Sequence, residues 1–198
     1  MRKLVWIGAL AALVAALVVG LSQSSSSSSD AGVPEFSMSR GEVAKALAGA
    51  PGPLAAVHAD AGRLIGGGVD AFNTRLSELK GYPVVVNKWA SWCGPCRVEF
   101  PVFQQASVDL GKRVAFLGMN SGDNRDQAAD FLRDYPVPFP SYLDPNEKIA
   151  LDAGVAAAYP STVFYNAAGE RTFAHQGQYR DLEDLREDID RYAFETTG

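Results

Sequence analysis

The only two cysteines of the 198-residue chain, Cys93 and Cys96, stand two residues apart, directly after an apolar run over 84–89. A β-branched run of this kind is typical of a buried central strand. The cysteine motif then opens a predicted helix that extends to about Leu110. A disulfide across so short a loop removes little entropy from the unfolded chain, so a structural cross-link gains little. The pair therefore predicts a centre that exchanges a disulfide with another molecule, placed between a strand and a helix.

The amino terminus carries eighteen uncharged residues, 4–21, directly after Arg2 and Lys3. As a helix this run is about 27 Å long, close to the ~30 Å of a bilayer core. Basic residues in front of it place the amino terminus in the cytoplasm and the following chain outside. The alternative is a cleaved signal peptide, which normally has a shorter apolar region and ends in a small-residue site. We therefore expect residues 1–21 to be a single transmembrane anchor. If they are cleaved, the protein would be secreted.

Six consecutive serines, residues 24–29, follow the apolar run. Such a tract cannot bury apolar surface, so residues 22–39 are predicted to be a flexible linker. The remaining residues, 40–198, have the size of one domain, which we divide into an amino-terminal extension (40–80) and a core (81–198). The net charge of −5 argues against nucleic acid as a partner.

Strand and helix signals alternate along the core. Predicted strands cover 84–89, 114–119 and 142–143, predicted helices cover 126–135, 147–153 and 181–194, and a hairpin joins 162–165 to 171–175. In the amino-terminal extension we expect helices over 40–50 and 54–65 and a short helical turn over 76–79. This order predicts an α/β sandwich, with a mixed central sheet and helices on both faces.

Four motifs carry a resemblance to a known family. They are Val84–Asn87, residues 89–97 (WASWCGPCR), Glu99-Phe100-Pro101 and Tyr159-Pro160-Ser161-Thr162. With the anchor and the serine tract, the chain resembles the membrane-anchored TlpA- and ResA-like thiol–disulfide oxidoreductases, near the AhpC/TSA redoxins. The resemblance covers residues 81–192 and implies a thioredoxin-like three-layer sandwich, whereas residues 40–75 depart from the family's amino-terminal hairpin. It also implies a redox disulfide between Cys93 and Cys96 and no cofactor.

The two cysteines have different predicted roles. At the amino end of a helix, unpaired N–H groups and the helix dipole favour the thiolate of Cys93, which makes it the attacking nucleophile. Cys96, one turn later and more buried, then resolves the mixed disulfide. A static structural disulfide or a buried thiol pair is the alternative.

A substrate surface beside the disulfide is implied mainly by the resemblance. In the family the proline equivalent to Pro160 has a cis peptide bond and lies against the disulfide, so that the backbone of Tyr159 is free to pair with an extended substrate. Trp92 is expected to cover the motif, and Gly94 and Pro95 complete the predicted substrate contacts.

Glu99 lies three residues after Cys96, on the same helix face. The resemblance implies a carboxylate near the cysteine pair that handles protons during exchange, and a solvent-exposed helical glutamate is the alternative. Thioredoxin itself has a buried aspartate where this chain has Asn87. Because Asn87 cannot titrate, Glu99 is the nearest candidate. Lys88, in the middle of a predicted buried strand, needs an outlet to solvent or a partner.

Other chemistries fit the sequence less well. A zinc site normally needs four ligands, and haem attachment needs a histidine where Arg97 stands, so no metal site is predicted. A thiol peroxidase of the redoxin type is an alternative, although the Thr-x-x-Cys motif is absent at Cys93, and a non-enzymatic copper- or thiol-binding module is another. His58 and His175 are expected to be structural or exposed.

The partners implied by the resemblance are proteins that carry a disulfide or a dithiol, together with an electron donor or acceptor in the membrane or envelope. The Gly94-Pro95 pair between the cysteines resembles that of reducing thioredoxins and favours a reductase. By analogy, the substrates would be apocytochrome or other disulfides of the bacterial envelope.

Overall fold

The structure, a computed structural model, describes residues 36–194. The elements are α1 (Arg40–Leu47), α2 (Gly52–Ala59), β1 (Leu64–Ile65), α3 (Gly68–Glu78), β2 (Val84–Trp89), α4 (Gly94–Leu110), β3 (Ala115–Ser121), α5 (Arg125–Asp134), β4 (Ser141–Asp144), α6 (Lys148–Asp152), β5 (Ser161–Tyr165), β6 (Arg171–Gln176) and α7 (Leu182–Asp188), which continues as a π-helix over Ile189–Phe194. Within residues 36–194, none of the helices has both the length and the apolarity needed to span a bilayer. The predicted anchor (1–21) and linker residues 22–35 lie outside the described residues.

One six-stranded sheet in the order β1-β4-β3-β2-β5-β6 organises the domain. The strand that leads to the cysteines, β2, pairs in parallel with β3 and antiparallel with β5. Strands β1 and β4 extend the parallel side, and the β5–β6 hairpin forms the antiparallel side. The predicted mixed sheet is therefore confirmed. Its central position explains why β2 begins with three consecutive valines rather than with alternating apolar and polar residues.

Helices cover both faces of the sheet, which buries every residue of β2, β3 and β5. Asn87 and Trp89 point toward α4, where they contact Glu99 and Phe100. Lys88 points to the opposite face and reaches the residues that flank α6. Alternate residues of one strand thus serve two separate layers, as the pleat of a strand requires.

The aromatic core on the α4 side fixes the end of β2. Trp89 is fully buried, as predicted, and its ring lies 4.9 Å from that of Phe131 on α5. The indole Nε1 donates to Ser141 Oγ at 3.1 Å. Gly118 lies against both side chains, and a Cβ at this position would overlap Ser141. The close approach of these residues explains why β3 carries a glycine here.

Two predictions for the amino-terminal extension are wrong. The helix expected over 54–65 ends at Ala59, because Gly62 has φ +67° and Leu64–Ile65 instead pairs with β4 as strand β1. The turn expected over 76–79 belongs to the eleven-residue helix α3. This helix begins after Gly67, which has a left-handed backbone (φ 97°) that glycine adopts without strain.

The short edge strand β1 is held by a side chain from the start of α5, the helix that connects β3 to β4. Arg125, the first residue of α5, donates from its guanidinium to the carbonyl oxygen of Leu64 at 3.1 Å. Helix α5 itself begins with a capping box, in which Asn124 and Gln127 exchange side-chain and backbone hydrogen bonds.

Candidate active site

The cysteine motif forms the junction between β2 and α4. Cys93 is the residue that caps α4, with an extended backbone, and its Sγ accepts a hydrogen bond from the backbone N–H of Cys96 at 3.1 Å. Gly94 and Pro95 form the exposed first turn of the helix. Proline is well tolerated there because the first amides of a helix have no intrahelical acceptor. The sulfur of Cys93 therefore lies at the positive end of the helix dipole.

Cys93 and Cys96 form a disulfide, with S–S 2.07 Å and Cα–Cα 5.3 Å. Both residues are buried, and Cys93 is the one that retains some exposed surface, 4% against 0% for Cys96. This difference matches the sequence-based expectation that Cys93 is the outer and Cys96 the inner member of the pair.

Two of the residues predicted to contact substrate, Trp92 and Tyr159, lie against each other. Trp92 is 58% exposed, which is unusual for a tryptophan, and its ring lies 4.8 Å from that of Tyr159. Its Nε1 also donates to the carbonyl oxygen of Gly122 at 3.4 Å. The Tyr159–Pro160 peptide bond is cis, as the resemblance implies. Two loops that are far apart in sequence thus join to form one aromatic surface next to Cys93.

Asp123 holds the loop that precedes the cysteines, a role that sequence reasoning missed. Its carboxylate accepts from the backbone N–H of Ser91 at 2.7 Å, from the Ser91 hydroxyl at 2.8 Å and from the Asn120 amide at 2.7 Å. A signal was available, because Asp123 follows β3, and the carboxyl ends of neighbouring parallel strands meet at one edge of a sheet. On the other side, Arg97 donates to the Ser91 carbonyl oxygen at 2.8 Å.

Glu99 is fully buried, so the exposed alternative is wrong. One carboxyl oxygen contacts the Asn87 amide nitrogen at 2.5 Å, and the other accepts from the backbone N–H of Tyr179 at 3.2 Å. Burial raises the pKa of this carboxyl to about 8, although both hydrogen bonds act in the opposite direction. One helical turn, about 5–6 Å between Cβ atoms, separates Glu99 from Cys96.

The amide of Asn87 provides independent support for a neutral Glu99. With its nitrogen toward Glu99, its Oδ1 has no hydrogen-bond partner among residues 36–194. The contact of 2.5 Å is shorter than the usual N–H···O distance. Exchanging the amide oxygen and nitrogen, which are nearly equivalent in shape, would place Oδ1 where a protonated carboxyl can donate to it. The geometry and the raised pKa therefore favour the same protonation state.

Lys88 has partners rather than an outlet to solvent. It is fully buried, and its ammonium contacts Glu147 and backbone carbonyls of the segment before Tyr159. Its aliphatic neighbours in β2 gave no indication of these acceptors, which lie up to 70 residues further along the chain.

The two histidines have packing roles. His58 lies 2.9 Å from the carbonyl oxygen of Gly111, just after the end of α4. His175 stacks on Tyr179 and lies 3.6 Å from Asp188. Among residues 36–194, no group of three or more histidine, cysteine or acidic side chains is arranged to hold a metal ion.

A CxxC disulfide at the start of a helix that follows the central strand of a mixed six-stranded sheet, together with a cis-proline before β5, defines a thioredoxin-like protein with a dithiol/disulfide centre. The chain belongs to the AhpC/TSA family, whose model matches residues 66–171, more than half of the sequence. The matched region therefore contains α3, the cysteine motif and β5, and it ends at Arg171, the first residue of β6.

Curated relatives of the chain are named for thiol–disulfide chemistry. The chain is 34% identical over 96 residues to the thiol-disulfide oxidoreductase ResA of Bacillus subtilis. The matched region covers 48% of this chain and 53% of ResA. It is 38% identical over 120 residues to the thiol:disulfide interchange protein HelX of Rhodobacter capsulatus. This match covers 60% of this chain and 66% of HelX. The chain thus spans between half and two thirds of the length of these curated relatives.

A solved structure supports the fold. The crystal structure of a DsbF homologue from Corynebacterium diphtheriae matches with a TM-score of 0.50 and 31% identity, over 59% of this chain and 75% of that one. The thioredoxin-like fold predicted from the sequence is therefore confirmed for the matched part.

Proposed function

We propose that this protein is an extracytoplasmic thiol–disulfide oxidoreductase that acts on protein substrates through Cys93 and Cys96. The observation that carries the proposal is the position of the Cys93 sulfur, which caps α4 and accepts the N–H of Cys96. The same N–H and helix dipole would stabilise the Cys93 thiolate after reduction, because a charged acceptor strengthens the hydrogen bond. Similarity to ResA and HelX, both named for disulfide chemistry, supports it.

In the reducing direction, the thiolate of Cys93 attacks one sulfur of a substrate disulfide. A Cys93–substrate bond forms, the substrate disulfide breaks, and the first substrate thiolate leaves. The Cys96 thiolate then attacks Cys93, which closes the disulfide seen in the structure and releases the second substrate thiol. Two electrons pass to the substrate, and a dithiol donor in the membrane or envelope would restore the reduced pair.

Glu99 is proposed to exchange a proton with Cys96 in the second step. A carboxyl with a pKa of about 8 titrates close to an ordinary thiol, for which the pKa is about 8.5, so the proton transfer is nearly balanced. Its place one turn below Cys96, rather than at the surface, gives it access to the inner sulfur. Trp92, Tyr159 and Pro160 would hold an extended substrate segment against Cys93.

Single cysteine variants test this assignment. Cys96→Ser should accumulate a mixed disulfide with a protein substrate such as insulin, because the resolving thiol is missing, whereas Cys93→Ser should form none. Non-reducing gel electrophoresis and mass spectrometry of the adduct provide the measurement. Serine keeps the helix cap at position 93, so loss of the adduct reports chemistry rather than unfolding. Equal trapping by both variants would contradict the order of attack.

The direction of electron flow follows from the reduction potential of the Cys93–Cys96 pair in equilibrium with glutathione. We propose a reductase, which predicts a potential near the ~ −270 mV of thioredoxin. A value near ~ −120 mV would instead identify an oxidant of the DsbA kind.

A further inference from the structure

The ammonium of Lys88 has four oxygen acceptors on the face of the sheet opposite Glu99. Nζ lies 3.1 Å from Glu147 Oε2, 3.0 Å from the carbonyl oxygen of Val155, 2.8 Å from that of Ala156 and 3.3 Å from that of Ala158. An ammonium has three N–H donors, so these four acceptors use all of its capacity. The side chain is fully buried, and its charge is balanced by a carboxylate at the edge of the site.

The three carbonyls all belong to residues 155–158, the segment that connects α6 to the cis-proline. Lys88 also contacts Tyr159, the residue that follows this segment, because Nζ is 3.7 Å from the centroid of the Tyr159 ring. The Tyr159 ring in turn contacts the exposed Trp92, with 4.8 Å between the two ring centroids. One buried cation thus touches the backbone before Tyr159 and the ring of Tyr159, and through this ring it supports Trp92.

Residues 155–158 form no strand or helix, and apart from Lys88 their backbone is bonded through the Val155 N–H to the Ala150 oxygen at 2.8 Å and through the Ala158 oxygen to the Ser161 hydroxyl at 3.1 Å. The bonds from Lys88 are charge-assisted and roughly twice as strong as neutral ones. Glu147, the ion-pair partner of Lys88, is the one non-glycine residue between 36 and 194 with a positive φ (55°). Such a backbone persists only where surrounding contacts hold it.

We propose that Lys88 is a positioning residue for substrate recognition, which fixes the 155–159 segment so that the Tyr159 backbone and the Trp92–Tyr159 surface are preformed for an extended polypeptide. The inference rests on the function proposed above and adds a determinant of affinity for protein substrates. Lys88 does not touch the sulfurs in this scheme, and the chemistry of the Cys93–Cys96 pair is independent of it.

The test compares a protein substrate with a small disulfide in the Lys88→Met variant, whose unbranched side chain is one atom shorter and carries no charge. We expect the KM for insulin to rise about tenfold while kcat stays within about twofold, the pattern of lost binding rather than lost chemistry. Reaction of the reduced pair with 5,5′-dithiobis(2-nitrobenzoate), which has no peptide backbone to dock, should change by less than about twofold. Amide hydrogen exchange should accelerate at residues 155–160 and not in β2 or β3.

The control is Lys148→Met, which removes the same charge from an exposed position at the start of α6 and should leave KM unchanged. An unchanged insulin KM in Lys88→Met, or an equal loss with insulin and with the small disulfide, would overturn the inference. If wild-type protein reduced neither substrate, the proposed function itself would fail, which is a different outcome.

A second variant covers the case in which Lys88→Met does not fold. Glu147→Gln leaves the three carbonyl bonds in place and removes only the charged partner, which is 37% exposed. It should raise the insulin KM by about two- to threefold without changing the reaction with the small disulfide. A KM equal to that of the wild type in this variant would also contradict the role of the cluster.

Discussion

Removing the ionisable carboxyl of Glu99 should change how the stability of the oxidised protein depends on pH. In the variant Glu99→Gln, the amide keeps the shape of the side chain, and its N–H can donate to the Asn87 oxygen when the Asn87 amide is turned as described for a protonated Glu99. The substitution therefore removes the titration without leaving a cavity. The oxidised form is the right state for this test, because its cysteines do not titrate.

The sign of the effect follows from the raised pKa. The carboxyl titrates at about 8 in the folded protein and at its ordinary value of 4.5 when unfolded. Between these values the folded state holds a proton that the unfolded state has released, so the wild type loses stability as pH rises through this window. At about 1.4 kcal/mol per pKa unit, the full loss is on the order of 4–5 kcal/mol, complete above pH 8.

The assay is urea unfolding of the oxidised wild type and of Glu99→Gln at intervals between pH 5 and 9. The free energy of unfolding of the variant relative to the wild type should increase steadily with pH up to about 8 and then level off. Glu187→Gln, on the exposed side of α7, is the matched control and should give a constant difference. A constant difference for Glu99→Gln as well would refute the raised pKa and, with it, the proton role.

Two further predictions concern the core and the amino terminus. Gly118→Ala should lower the free energy of unfolding by about 1–3 kcal/mol, because the new Cβ would overlap Ser141, whereas Gly41→Ala, which has open space around it, should not; urea unfolding of both variants checks this. Residues 4–21 should remain on the mature protein as an anchor, and amino-terminal sequencing of protein isolated from membranes would contradict this if the chain began after Leu21.

The core of the fold was predictable because local signals there agree with tertiary packing. Residues 84–89 read as a central strand and form one, and the helix predicted after the cysteines ends at Leu110 as expected. The amino-terminal extension was less predictable. A two-residue strand such as β1 has no periodicity, and its existence depends on pairing with Ser141 and Tyr142, which are more than 70 residues away in sequence.

In the candidate site, too, some features could be predicted from the sequence and others could not. The placement of Cys93 at the start of a helix follows from the sequence, since a glycine and a proline directly after it suit a first turn. The burial of Glu99 could not be decided in this way, because a helix position is buried only if another element packs on it, here the sheet at Asn87 and the segment at Tyr179. Lys88 was recognisable as anomalous, but its carbonyl acceptors leave no trace in side-chain identity.

The shortness of the edge strand β1 has a consequence for the tendency of the domain to aggregate. Exposed strand borders offer free N–H and C=O groups on which stray chains can polymerise. This border is only two residues long, and the Leu64 oxygen is already occupied by Arg125. This edge of the sheet therefore offers few free backbone groups with which another chain could pair.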